Sequence, residues 1–289
     1  MSSVLATLVL PHAAHALEPG HTLTFATVGE RELKLDLYLP ARATASPPLL
    51  VYVHGGAWRR GSRQGMPLDS LVSEQGFAIA SVDYRLSPEA KFPAQVHDIK
   101  AAIRYLRGRA TDFGYRADHI MIAGSSAGGH LAALVGVSNG HAELEGSVGE
   151  HRHNSSEIAG IVSFYGASNL TTILAQSTPH GLSVRVPALE LLLGDRPERK
   201  APLARLASPV FHVDAKDPPL LLIHGDQDPQ MPINQSHELV GAYREAGAEV
   251  RFDVVHGGAH GGEGFYSDEQ LAQVATFLRK CIDGPDAAD

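Results

Sequence analysis

Residues 119–131 read HIMIAGSSAGGHL. An apolar run, Ile120-Met121-Ile122-Ala123, meets a Gly/Ser turn at Gly124 to Gly129 and leaves through Leu131-Ala132-Ala133-Leu134-Val135. Strand, tight turn and helix, with serine at the centre, fit G-x-S-x-G. That motif is a strained strand-to-helix turn that holds a serine hydroxyl clear of a sheet. The residues two before and two after the serine must be small, because side chains there collide across the turn. Gly124 and Gly128 flank Ser126, so Ser126 rather than Ser125 is the candidate nucleophile. Three fixed residues in five also fit a Ser/Gly loop capping an ordinary helix, and the rest of the chain has to separate the two readings.

The chain has 289 residues, a length that suits one α/β domain with one core. It is 44% hydrophobic and 19% charged, the balance of a soluble globular protein. The net charge is −8 and no basic cluster tracks phosphates, which argues against nucleic acid as a partner. Cys281 is the single cysteine, so neither an intramolecular disulfide nor a cysteine metal cage is available. Val4 to Leu10 is a short apolar run, and Ala14-His15-Ala16 resembles a small-residue cleavage site. Residues 1–22 read as a leader. Either its first sixteen residues are a signal peptide of a secreted or periplasmic protein, or they form a surface helix of a cytoplasmic one. No Lys or Arg precedes the run. No segment approaches ~20 consecutive apolar residues, so no membrane insertion is expected.

Going along the chain, Leu23–Val28 and Glu32–Leu39 alternate as an antiparallel pair at a sheet edge. Leu49–Val53, Phe77–Val82, Ile158–Tyr165, Pro219–His224 and Val250–Val255 read as further strands, several of them continuous apolar runs buried on both faces. Helices are expected at Leu68–Gln75, after Pro93, at Asn234–Ala246 and at Ser267–Cys281. Asn139–Ser156 is polar and glycine-rich, a long surface loop. Residues 168–216 carry short helical pieces such as Val186–Leu193, separated by prolines, and an insertion that long suggests a lid. A single domain over 23–283 and a polar tail over 284–289 complete the organisation. Alternating strands and helices predict an α/β fold: an open, mostly parallel sheet with helices on both faces and its ligand site at the C-terminal strand ends.

Reactive types gather at those ends in the order Ser126, Asp228, His260. A serine hydroxyl is a poor nucleophile at neutral pH and needs a base, and the base needs an orienting carboxylate. Two acids follow the same strand, Asp226 and Asp228. Asp226 could be a turn-former, while Asp228 lies further out, where a loop can return it to a histidine. Two histidines, His256 and His260, compete as base. His260 is favoured because glycines on both sides leave its ring room. Their i, i+4 spacing would suit a metal only on a helix, and four glycines exclude a helix there. Attack on a carbonyl develops an oxyanion, which backbone N–H groups must meet. Ala127 supplies one, and His54-Gly55-Gly56-Ala57-Trp58 after another strand can supply the others. Trp58 and Tyr165 both follow strands feeding the site. They can line an aromatic acyl pocket or pack in the core.

Together HGGAW, VDYRLSPEAKFPAQVHDIKAAIRYL, GSSAGG, HGDQDP and GGAHGG resemble an α/β-hydrolase-fold esterase on the hormone-sensitive-lipase-like side, over residues 23–282. HGDQDPQMPINQS with VVHGGAHGG is similar to bacterial acetyl-xylan and feruloyl esterase-like enzymes. The resemblance implies Ser126 as nucleophile, Asp228 as acid and His260 as base. It also implies oxyanion N–H groups from Gly56, Ala57 and Ala127, with Gly55 forming the turn, and no metal or organic cofactor. Short-chain or small aromatic esters are the implied substrates, free or linked to polysaccharide. A peptidase on the same fold and a catalytically silent binding protein are the alternatives. Alanine replaces a third glycine in the first loop, and Ser125 stands where many relatives have aspartate.

Overall fold

The computed structural model describes residues 17–41 and 46–283. The proposed signal peptide and the polar tail lie outside the described residues. Eight strands form one sheet: β1 (His21–Val28), β2 (Arg31–Tyr38), β3 (Pro48–Val53), β4 (Ala78–Val82), β5 (Arg116–Ser125), β6 (Ile161–Phe164), β7 (Leu220–Gly225) and β8 (Val250–Val255). Their spatial order is β1-β2-β4-β3-β5-β6-β7-β8. The β1–β2 and β2–β4 pairs are antiparallel and the rest parallel, so β2 alone runs against the others.

The period of two in the sequence becomes two apolar layers. Leu49, Val51 and Val53 of β3 join one core cluster, and Leu50 and Tyr52 the other. On β5, Ile120 and Ile122 oppose Met121 and Ala123 in the same way. Helices Ala94–Gly108, Ala127–Gly136 and Asn234–Ala246 contribute to the first layer, and Asp69–Ser73 and Asp268–Asp283 to the second. Both faces of the central strands are therefore covered, which is why they read as unbroken apolar runs.

Several expected spans shift. The strand expected from Ile158 begins at Ile161, because Ala159 and Gly160 are spent on the approach to β5. The expected surface loop 139–156 contains a short helix, Ala142–Glu145, whose Glu145 pairs with the buried Lys100 and with Arg104. A buried ammonium needs such a partner. In the insertion, Pro187 does not break the chain: one helix runs Pro179–Leu193 through it. Thr178 caps that helix, its Oγ1 accepting from the Gly181 N–H at 3.0 Å. Ala188, Leu189, Leu192 and Leu193 bury into the first layer, which offsets the hydrogen bond lost at proline. Among the described residues no helix is long and apolar enough to cross a membrane.

Candidate active site

Ser126 sits between β5 and helix Ala127–Gly136 with φ 55° and ψ −117°. The flanking glycines have a measurable cause. A Cβ on Gly124 would lie 2.3 Å from the Gly128 carbonyl oxygen, and one on Gly128 would lie 2.0 Å from that of Val53. The turn therefore closes only with hydrogen at both positions. Outside glycine, the described residues at positive φ are Ala57, Trp58, Ser126 and Tyr165. They follow the C-terminal ends of β3, β5 and β6, and three of them line one cavity. Conformations of this kind cost about 1–3 kcal/mol each and gather where a site must hold a set geometry.

The Ser126 hydroxyl lies 2.8 Å from His260 Nε2, and His260 Nδ1 lies 2.6 Å from Asp228 Oδ2. A carboxylate only accepts, so Nδ1 carries the proton and Nε2 is free to accept from the serine. Asp228 Oδ1 accepts from the Gln230 and Met231 N–H groups, both at 2.8 Å. Burial by itself would raise the Asp228 carboxyl. The close approach of His224, whose Nε2 lies 3.4 Å from Oδ2, and the hydrogen bond from His260 outweigh it and hold the group well below the usual carboxylate range. His224 is fully buried; its Nε2–H donates to the Met231 carbonyl at 3.0 Å and its Nδ1 lies 2.7 Å from Ser236 Oγ. Nothing local in the sequence marks His224 as a neighbour of Asp228, because its partners come from the loop and helix that follow.

The competing residues pair with each other. His256 Nδ1 lies 3.0 Å from Asp226 Oδ2, and Asp226 Oδ1 accepts from the Gly257 N–H at 2.8 Å. This second pair is on the surface, with the His256 side chain 87% exposed.

The cavity around Ser126 is about 250 Å³, lined among others by Gly56, Ala57, Ser125, Tyr165, Arg185 and His260. Among the described residues no acceptor takes the N–H of Gly56, Ala57 or Ala127. Gly56 has φ +109°, and a Cβ there would lie 2.1 Å from the Arg60 carbonyl oxygen. Tyr165 stands edge-on to His260, with ring centroids 4.8 Å apart, and its hydroxyl bonds Tyr266 at 2.6 Å.

Trp58 does not line this cavity, which corrects the expectation of an aromatic acyl wall at that position. Its side chain is fully buried in the first layer, and its Nε1–H donates to His130 Nδ1 at 3.0 Å. The His130 Nε2–H in turn donates to the Ala207 carbonyl at 2.6 Å. His130 was legible only as part of the helix after the turn. It ties the loop after β3, the serine helix and the insertion together. Burial pushes its imidazole down to about 4. The folded value lies below the unfolded ~6.5, so the contribution is complete above pH 6.5 and is lost as pH falls toward 4. Wild type is expected to lose about 2 kcal/mol between pH 7.5 and pH 5 that His130→Gln does not lose. Denaturant unfolding of both proteins at the two pH values measures it; parallel losses would refute the assignment.

The BD-FAE family model matches residues 35–243. The chain belongs to the BD-FAE family of α/β-hydrolase esterases. Among curated proteins, this BD-FAE chain is 33% identical to Esterase LipC of Mycobacterium tuberculosis, over 75% of this chain and 54% of LipC. It is 30% identical to the isoprenylcysteine alpha-carbonyl methylesterase ICME of Arabidopsis thaliana, over 78% of this chain and 53% of that protein. The chain spans about half the length of the curated relatives it matches. Among solved structures, a truncated carbohydrate esterase from gut microbiota superposes with a TM-score of 0.78 at 30% identity, covering 91% of this chain and 96% of that one. The propionate-bound esterase Est2 of Thermogutta terrifontis superposes with a TM-score of 0.72 at 26% identity, covering 90% of this chain and 93% of Est2.

Proposed function

We propose that this BD-FAE chain hydrolyses carboxylic esters of short acyl groups through an acyl-enzyme on Ser126. The observation that carries the reading is the relay from Ser126 Oγ through His260 to Asp228, at 2.8 and 2.6 Å. His260 Nε2 takes the hydroxyl proton as Ser126 Oγ bonds the carbonyl carbon. Asp228 holds the imidazole in the tautomer that makes this possible and stabilises the imidazolium. The N–H groups of Gly56, Ala57 and Ala127 face the developing oxyanion. His260 returns the proton to the leaving alcohol, and water then attacks the acyl-enzyme with His260 again as base.

Two observations support short acyl groups. The cavity is about 250 Å³, at the small end for ligand sites. Est2, the Thermogutta relative, has been solved with propionate and with butyrate bound. Acetyl groups on carbohydrate fit the same reading, since one solved relative is a carbohydrate esterase. The feruloyl reading is the less favoured, because Trp58 is absent from the cavity wall. The insertion 168–216 contributes Val184 and Arg185 to the cavity wall.

A 4-nitrophenyl ester series from acetyl to dodecanoyl is expected to peak at or below butyryl. Fluorophosphonate labelling followed by peptide mass analysis is expected to mark Ser126. A peak at long chains rejects the substrate class, and labelling elsewhere rejects the nucleophile.

A further inference from the structure

The cavity beside Ser126 contains an arginine that the proposed ester chemistry does not use. Arg185 projects from helix Pro179–Leu193 of the insertion and is 1% exposed. Its Nε reaches only the Gln230 carbonyl, at a long 3.4 Å. Neither Nη1 nor Nη2 has a hydrogen-bond partner among the described residues. Burying a guanidinium without an acceptor is costly, and a protein that keeps one needs a use for it.

Among the described residues no side chain supplies the missing anion. Asp228 is near enough to favour the charged arginine, yet both its oxygens are taken. Oδ1 accepts from two backbone N–H groups, and Oδ2 faces His260 and His224. Among the described residues no aspartate or glutamate side chain lines the cavity, whereas Arg60 lines it from the solvent side. The Arg59 charge adds to the positive field at Arg185. On a chain of net charge −8 this is a local inversion of sign. Burial pushes the Arg185 guanidinium down to about 10, which leaves it charged at neutral pH.

We propose that Arg185, with Arg60 at the mouth, forms a carboxylate-binding subsite, so that the preferred substrate is an ester bearing a free carboxylate on its acyl or its alcohol part. A guanidinium fork matches a carboxylate with two parallel hydrogen bonds. Arg185 and Ser126 line the same cavity of about 250 Å³, so one small ester can meet both. Arg185 is thereby a specificity residue. The proposal rests on the Ser126 esterase reading.

Two substrate pairs separate the sources of the carboxylate. Methyl hydrogen succinate against methyl butyrate places it on the acyl side. 4-Acetoxybenzoate against 4-tolyl acetate places it on the alcohol side. Arg185→Gln is expected to lower kcat/KM for the carboxylate member of one pair by ~30-fold or more relative to its neutral partner. Arg185→Lys keeps the charge without the fork and should recover part of that preference. Equal losses within both pairs, or no loss, overturn the subsite and leave Arg185 a structural role. If Arg185→Gln does not fold, Arg60→Gln decides: the carboxylate preference must fall, and an unchanged ratio overturns the proposal. Calorimetric binding of both substrate pairs to Ser126→Ala, with and without Arg185→Gln, isolates the subsite from catalysis. If wild type turns over no ester, the esterase reading fails. Tighter binding of the carboxylate member of either pair that Arg185→Gln abolishes would still uphold the subsite, and equal binding within both pairs would end it.

Discussion

Replacing Ser126 with alanine is expected to lower kcat/KM for 4-nitrophenyl acetate by about 10⁴–10⁶-fold, with the fold intact. The variant loses one oxygen from a residue that is 8% exposed and keeps the backbone turn. The adjacent serine cannot substitute. Ser125 Oγ lies 2.7 Å from the Tyr52 hydroxyl, within a buried hydroxyl cluster, and is not the oxygen facing His260. The N–H groups of Gly56, Ala57 and Ala127 and the cavity would survive the change, so a residue of catalysis over water should persist. Circular dichroism and initial rates decide the matter. More than about a tenth of wild-type activity in Ser126→Ala would sink the assignment.

Asp228→Asn is expected to lower kcat about 10⁴-fold, while Asp226→Asn leaves it close to wild type. An asparagine at 228 can turn an N–H toward His260 Nδ1, which then accepts. The proton moves to Nε2, and the imidazole can no longer take one from Ser126. Asp226 is bound instead to the exposed His256, 3.0 Å away on the surface. Side-by-side kinetics of the two variants give the result. Comparable losses in both would mean that the acid is not Asp228 alone.

Much of this arrangement is legible before any tertiary contact is known. The apolar runs of β3 and β5 declare strands covered on two faces, and the structure buries them so. Gly124 and Gly128 declare a turn too tight for a Cβ, and the 2.3 and 2.0 Å approaches are its cause. These are local matters of steric fit and period. Spans that depend on distant partners were harder to place. Helix Pro179–Leu193 is expected only from Val186 in sequence, because the core that receives Leu189 and Leu192 is built by strands far away in the chain.

Trp58 shows the same limit inside the site. Its position after β3 points toward the cavity, but φ 59° and a hydrogen bond to His130, 72 residues on, carry the indole into the core. Arg185 is the converse. Nothing beside it in sequence distinguishes it from a surface cation, and only the packing of the insertion against Gln230 and Ser126 makes it a buried charge whose Nη1 and Nη2 lack an acceptor among the described residues.

The sequence by itself determined the hydrolase fold and the order of serine, acid and histidine along it. Backbone sterics and burial on two faces act through neighbours in the chain. Tertiary structure alone decided that Asp226 pairs with His256 on the surface, that Trp58 braces rather than lines, and that Arg185 faces the Ser126 cavity. Those outcomes depend on which hydrogen-bonding groups remain unpaired once distant segments have closed on one another, and the spacing of residues along a chain carries no record of that.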